Sequence, residues 1–173
     1  MARDQPLKVD RRPYLLRPER PPEGEPRRMF EGETETDLNP AMQERARVAG
    51  LVMRRPRWSP STMLAHEATL YAKERGRDGE FHHAVARAYW ETGADLGDIE
   101  VIKRLAPESG LDWLELSPRL ESGFYRDRVL QEYKDAKTCG VSGTPTYWTG
   151  GELLRGDVSL EDLKAAVQKA AAG

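Results

Sequence analysis

Apolar and polar positions alternate along this chain in two different rhythms. Near the start, Leu7, Val9, Tyr14, Leu15 and Leu16 predict one strand over residues 7–16, with Pro13 at an edge or bulge where its missing donor is tolerated. Residues 17–39 break the pattern with Pro18, Pro21, Pro22 and Pro26, and read as an extended, polyproline-like loop. From there to residue 138 the rhythm is helical. Asn39-Pro40 is a cap followed by proline, and the helix it starts ends at Gly50. Ser59-Pro60 repeats that signal ahead of Leu64, Ala68, Tyr71 and Ala72, up to Gly76. Phe81, Val85, Ala88 and Tyr89 predict a helix from about Asp78 to Gly93, and Asp98 caps one carrying Ile99, Val101, Ile102 and Leu105. Ser117-Pro118 predicts a short helix ending at Gly123, and the longest run spans Phe124 to Thr138.

The last thirty-odd residues change rhythm again. Gly140 and Gly143 bracket a turn, and Thr144-Pro145 enters a β-forming run, Thr146-Tyr147-Trp148-Thr149. Gly150-Gly151 is a two-residue hairpin signal, with Leu153 and Leu154 on the return strand. Ser159, with Asp162 three residues on, forms a capping-box-like start to a helix carrying Leu160, Leu163, Ala166 and Val167. The fold class is therefore α/β: residues 1–39 and 139–173 form one domain, and residues 40–138 form an all-helical insertion.

Pro145 opens a strand, so one ladder donor is absent there. An X–Pro bond is also the one kind that adopts cis at small cost. A cis bond would turn the Thr144 backbone groups outward, where they could bind an extended peptide or thiol ligand. From the residues alone, that arrangement and an ordinary trans turn are both open.

Composition narrows the partners. Of 173 residues, 32% are charged, and the net charge is −2, which gives no electrostatic reason to expect nucleic acid or an anionic membrane. No stretch approaches ~20 apolar residues, so no membrane span is expected. The first ten residues lack an apolar targeting core, and the single cysteine forbids an internal disulfide; both suit a cytoplasmic protein.

Candidate chemistry is sparse. Cys139 ends a helix, where the dipole disfavours negative charge, so it reads as a buried or inert thiol. His82 and His83 are adjacent on a helix and diverge by about 100°, and no carboxylate pattern joins them to His66. Half-buried or surface histidines are expected, and no metal or cofactor. Asp95, Asp98 and Glu100 read as caps and a solvated face. Arg17, Arg20, Arg27 and Arg28 could bind an anion, but the interleaved Glu19, Glu23 and Glu25 favour a solvated, self-neutralising loop. Most of the large aromatics read as packing, with Tyr147 or Trp148 placed to line a cleft.

The stretch Gly140-Val-Ser-Gly-Thr-Pro-Thr146, followed by Tyr147-Trp148, Gly150-Gly151 and Leu-Leu-Arg-Gly156, resembles the second half of a thioredoxin fold. It is most similar to the DsbA-like family, in its FrnE and 2-hydroxychromene-2-carboxylate isomerase branch. Val9-Asp-Arg-Arg-Pro-Tyr-Leu-Leu-Arg-Pro18, then Pro21-Pro22-Glu-Gly24, is similar to that family's second strand and following loop. The helical middle resembles its inserted domain.

The resemblance implies a thioredoxin-like, DsbA-type fold with a large helical insertion and thiol–disulfide oxidoreductase chemistry. It also implies a cis Pro145, and a thiol- or peptide-substrate site at Thr144, Pro145, Thr146 and Trp148. The family's first strand and helix, with the Cys-x-x-Cys, have no counterpart in this sequence, so a truncated or misassigned start is expected and no catalytic residue is assigned. A non-catalytic peptide- or partner-binding module and a relative of glutathione-dependent isomerases stand as alternatives. Without the first strand, the sheet would be closed by the 7–16 strand or by a second copy, making a homodimer possible.

Overall fold

The computed structural model describes residues 7–172, and its chain divides into two compact units, Arg17–Val129 and the described parts of Met1–Leu16 with Leu130–Gly173. The sequence-drawn boundaries lie at 39/40 and 138/139; in the larger unit the 17–39 segment is tied to residues 55–57, with the Arg27 amide donating to the Arg57 carbonyl and the Arg55 amide to the Thr36 carbonyl.

The larger unit is built on helix α2 (Met63–Glu74). Its sequence is apolar on nearly every side, the pattern of a helix enclosed by others. Ala65, Glu67, Ala68, Leu70, Tyr71 and Ala72 are all buried. Around it pack α3 (Asp78–Thr92), α4 (Ile99–Glu108) and α5 (Trp113–Glu121). Phe81, Ile102, Leu105, Leu116 and Leu120 complete the core, each at 2% exposure or less. Burial of one such side chain contributes about 1.5–3 kcal/mol. Helix α1 (Pro40–Val48) starts as the cap predicts, with Asn39 Oδ1 accepting from the Met42 amide at 3.0 Å.

Two helix starts differ from expectation. Ser59 lies in the two-residue strand β2 (Trp58–Ser59), paired antiparallel with β1 (Glu25–Pro26), and α2 begins four residues later. Pro118 lies inside α5, whose cap is Asp112, accepting from Leu114 N at 2.8 Å and Glu115 N at 3.3 Å.

Most of the 17–39 loop is solvent-exposed, with Arg17 set against Glu19 and Arg20 against Glu25, as its interleaved charges suggested; an exception is the side chain of Glu33. Glu33, 3% exposed, takes a two-pronged ion pair from Arg27, 2.8 Å on each oxygen, and a bond from the Phe30 amide at 3.0 Å. Arg55, also buried, reaches it at 3.4 Å and donates to the Arg27 carbonyl. The guanidinium pair holds the Glu33 carboxyl down at about 2. This cluster fastens a largely exposed loop to Arg55.

In the smaller unit, residues 7–16 form no strand, contrary to the apolar pattern. Strand pairing needs a partner edge, and Pro13 removes a donor from this segment. Leu15 is buried while Val9 and Leu16 are exposed, and the Tyr14 hydroxyl donates to the Val141 carbonyl at 3.3 Å. Strands β3 (Thr146–Thr149) and β4 (Glu152–Arg155) form an antiparallel hairpin, and α7 (Leu160–Ala172) packs on β3. Ser159 caps α7, accepting from the Asp162 amide at 3.0 Å and donating to its carboxylate at 2.7 Å. Helix α6 (Arg126–Thr138) runs across the boundary between the units. Among the described residues, no helix is long and apolar enough to cross a membrane.

Candidate functional site

Helix α6 ends in a turn that begins the site. Gly140, at φ +83°, takes the left-handed position that only glycine holds without strain. Its amide donates to the Lys137 carbonyl and the Val141 amide to the Ala136 carbonyl, so the helix closes in a Schellman motif. Cys139 is exposed on this turn, so of the expected buried or inert thiol the buried alternative does not hold. The helix ends at Thr138, and Cys139 follows in the turn with its side chain exposed.

The chain then crosses Thr144–Pro145, whose peptide bond is cis. Thr144 and Pro145 are exposed, and Thr146 is half-buried, with its hydroxyl donating to the Gly143 carbonyl at 2.7 Å. The Arg155 guanidinium donates to the Gly140 carbonyl at 3.2 Å and ties the end of β4 to the same turn.

The register of the hairpin decides which backbone groups are free. Thr149 pairs with Glu152 across Gly150-Gly151, both at positive φ, as a two-residue type I′ turn requires. The residues that close such a turn exchange both hydrogen bonds, and bonded and non-bonded pairs then alternate. Thr149 and Tyr147 therefore point their amides and carbonyls at β4, and the Pro145 carbonyl continues the ladder by accepting from Gly156 N at 2.9 Å. Thr146 and Trp148 point theirs the opposite way. Among the described residues, no strand pairs with that side of β3.

Side chains follow the same period of two, placing Thr146 and Trp148 on one face. Trp148 is 59% exposed and Tyr147 41%. Thr144, Pro145, Thr146 and Trp148, close together in sequence, thus lie along an edge that no strand among the described residues pairs with, beside an exposed indole.

Other candidates do not converge. His82 and His83 are exposed on α3 with ring centroids 5.9 Å apart, and burial holds the half-buried His66 down at about 4. Among the described residues, no three His, Cys, Asp or Glu side chains are grouped to hold a metal. Asp95 and Asp98 serve local turns, accepting from the Gly97 and Glu100 amides. Sequence reasoning missed the buried carboxylates Glu33 and Glu67. Glu67 had one legible signal, a lone acid between Ala65, Ala68 and Leu70 on an apolar helix.

A family model described as a DSBA-like thioredoxin domain matches residues 1–168. The uncharacterised protein YwbO of Bacillus subtilis (strain 168) is 27% identical over 168 residues, which cover 93% of this chain and 81% of that protein. A crystal structure of a probable DsbA oxidoreductase from Streptomyces coelicolor superposes with a TM-score of 0.68 at 27% identity. The match covers 76% of this chain and 58% of that one, so this chain spans less than two thirds of the solved protein.

Proposed function

We propose, for a chain that belongs to the family of DSBA-like thioredoxin domains, that its free β3 edge binds an extended peptide or partner strand. The family is one of thiol–disulfide oxidoreductase-like proteins. The observation that carries the reading is the outward-facing backbone of Thr146 and Trp148, set beside exposed Pro145 and Thr144. A strand added there gains main-chain hydrogen bonds, and Trp148 supplies an aromatic surface for alternate side chains. The 173 residues hold a single cysteine, so this polypeptide has no dithiol of its own to cycle. Within the family, the stretch from Gly140 to Gly156 resembles the FrnE and 2-hydroxychromene-2-carboxylate isomerase branch, and the one thiol suits a reducing compartment.

The test titrates the purified chain with a ten-residue Val/Thr-rich peptide and with the same peptide N-methylated at alternate residues. Binding is read from tryptophan emission, with Trp148→Phe used to attribute the signal. Strand addition predicts at least tenfold weaker binding of the methylated peptide. Equal affinities would sink the reading. Insulin reduction by the chain alone is expected to stay at the thiol background; turnover above it would overturn the binding-only half of the proposal.

A further inference from the structure

We propose that Glu67 is a buried proton-binding site that controls Arg126, holding its guanidinium when ionised and releasing it to solvent when protonated. Glu67 lies in the middle of α2 with its side chain fully buried. Arg126 is the first residue of α6, with a side chain 52% exposed. Its Nε and Nη2 both donate to one carboxylate oxygen, Oε1, at 3.2 Å each. The other oxygen, Oε2, is buried and makes no hydrogen bond.

That asymmetry lets the pair switch. A proton can settle on Oε2 without first breaking any bond. Oε1 stays an acceptor but loses its charge, and a charge-assisted hydrogen bond is about twice as strong as a neutral one. Arg126 also sits at the positive end of the α6 dipole, an unfavourable place for a cation. The ionised carboxylate offsets that repulsion, and the neutral acid does not.

Among the described residues, the neighbouring helices carry charged groups with partners of their own. On α3, Glu80 pairs with Arg77 and Arg87 with Glu91, while His82 and His83 are exposed. On α4, Lys103 pairs with Glu100 and Arg104 with Glu108. On α5, Glu115 takes Tyr71 and Arg75, and Arg119 donates to the Tyr125 hydroxyl. On α6, Arg128 pairs with Glu74. Among the described residues, Arg126 is the cation paired with Glu67, and the Tyr125 backbone amide also favours the ionised carboxyl. Burial outweighs both and holds the Glu67 carboxyl above the ordinary glutamate range. The folded chain therefore binds this proton more tightly than the unfolded chain. The resulting stabilisation is complete below the unfolded value, about 4.5, and is lost as pH rises through the raised one.

The test is a carboxyl-carbon NMR titration of the full chain, with exchange of the Arg126 Nε proton followed in parallel. The expected result is one glutamate titrating above the ordinary range and absent from Glu67→Gln. Arg126 exchange should accelerate at least tenfold on acidification with the same midpoint, after correction for the intrinsic pH dependence of exchange. Arg126→Gln, a change at a half-exposed side chain, should move the Glu67 midpoint further up. A Glu67 midpoint at or below the ordinary range, an Arg126 exchange rate that ignores it, or a midpoint unmoved in Arg126→Gln would each overturn the proposal.

Discussion

Replacing Gly150 by alanine tests how the β3 edge is held in place. Gly150 sits at φ +54°, and a Cβ built there lies 2.7 Å from the Ala170 Cβ and 3.2 Å from its Cα, on α7. Gly151 provides the control: its φ is +81°, yet a Cβ there meets nothing within 4 Å. Alanine in the left-handed region costs about 1–2 kcal/mol, and the stiffer unfolded chain returns about 0.4–1 kcal/mol, so Gly151→Ala nets about 1 kcal/mol. Gly150→Ala adds an overpacking cost of about 1–3 kcal/mol against a helix that must shift, for a total of about 2–4 kcal/mol. The assay is native-state hydrogen exchange of the Tyr147 and Thr149 amides, which face β4. Since about 1.4 kcal/mol is tenfold, exchange should quicken several-fold in Gly151→Ala and roughly thirty- to several-hundred-fold in Gly150→Ala. Adding Ala170→Gly to Gly150→Ala should recover part of the loss, because the two Cβ atoms no longer meet. Equal effects at the two glycines, or no recovery in the pair, would refute the reasoning that α7 clamps the hairpin at its turn.

Glu33→Gln removes the anion between two buried guanidinium groups and is expected to destabilise the larger unit by about 3–5 kcal/mol in urea unfolding. Because Glu33 is held at about 2, its contribution is present above the ordinary carboxylate value near 4.5. It is lost as pH falls toward 2, so the wild-type and variant curves should converge there. His66, held down at about 4, binds a proton more readily when unfolded. Between pH 6.5 and 4 the wild type should therefore lose stability that His66→Gln keeps, as read by midpoints of thermal unfolding against pH. A parallel pair of curves would contradict the burial of that imidazole.

Local signals in the sequence were legible wherever one turn of chain settles the outcome. The Asn39 cap, the Ser159–Asp162 box and the Gly150-Gly151 hairpin all appear where their residue types place them. The cap-and-proline signal failed twice, for distinct reasons. Ser59 is claimed by pairing with Glu25, thirty-four positions earlier, and Asp112 outcompetes Ser117 as the cap of α5. The strand expected over residues 7–16 failed because an apolar pattern fixes which side chains bury, as Leu15 does, but supplies no partner edge.

The family motif pointed to Thr144, Pro145, Thr146 and Trp148 as the candidate site. The direction in which each backbone group points could be assigned only once the Thr149–Glu152 register was known. The buried charges were least legible. Arg126 lies 59 positions from Glu67, and no local rule joins them. The Glu33 network likewise needs Arg55, whose part is set by tertiary packing.

The most direct test of the β3 edge is amide hydrogen exchange at four consecutive residues, with and without the Val/Thr-rich peptide. In the free chain, Tyr147 and Thr149 should be protected and Thr146 and Trp148 should exchange freely. With saturating peptide, Thr146 and Trp148 should slow by at least tenfold while Tyr147 and Thr149 change little. Thr146 and Trp148 amides that are already protected in the free chain, or that stay unprotected with peptide bound, would contradict the account.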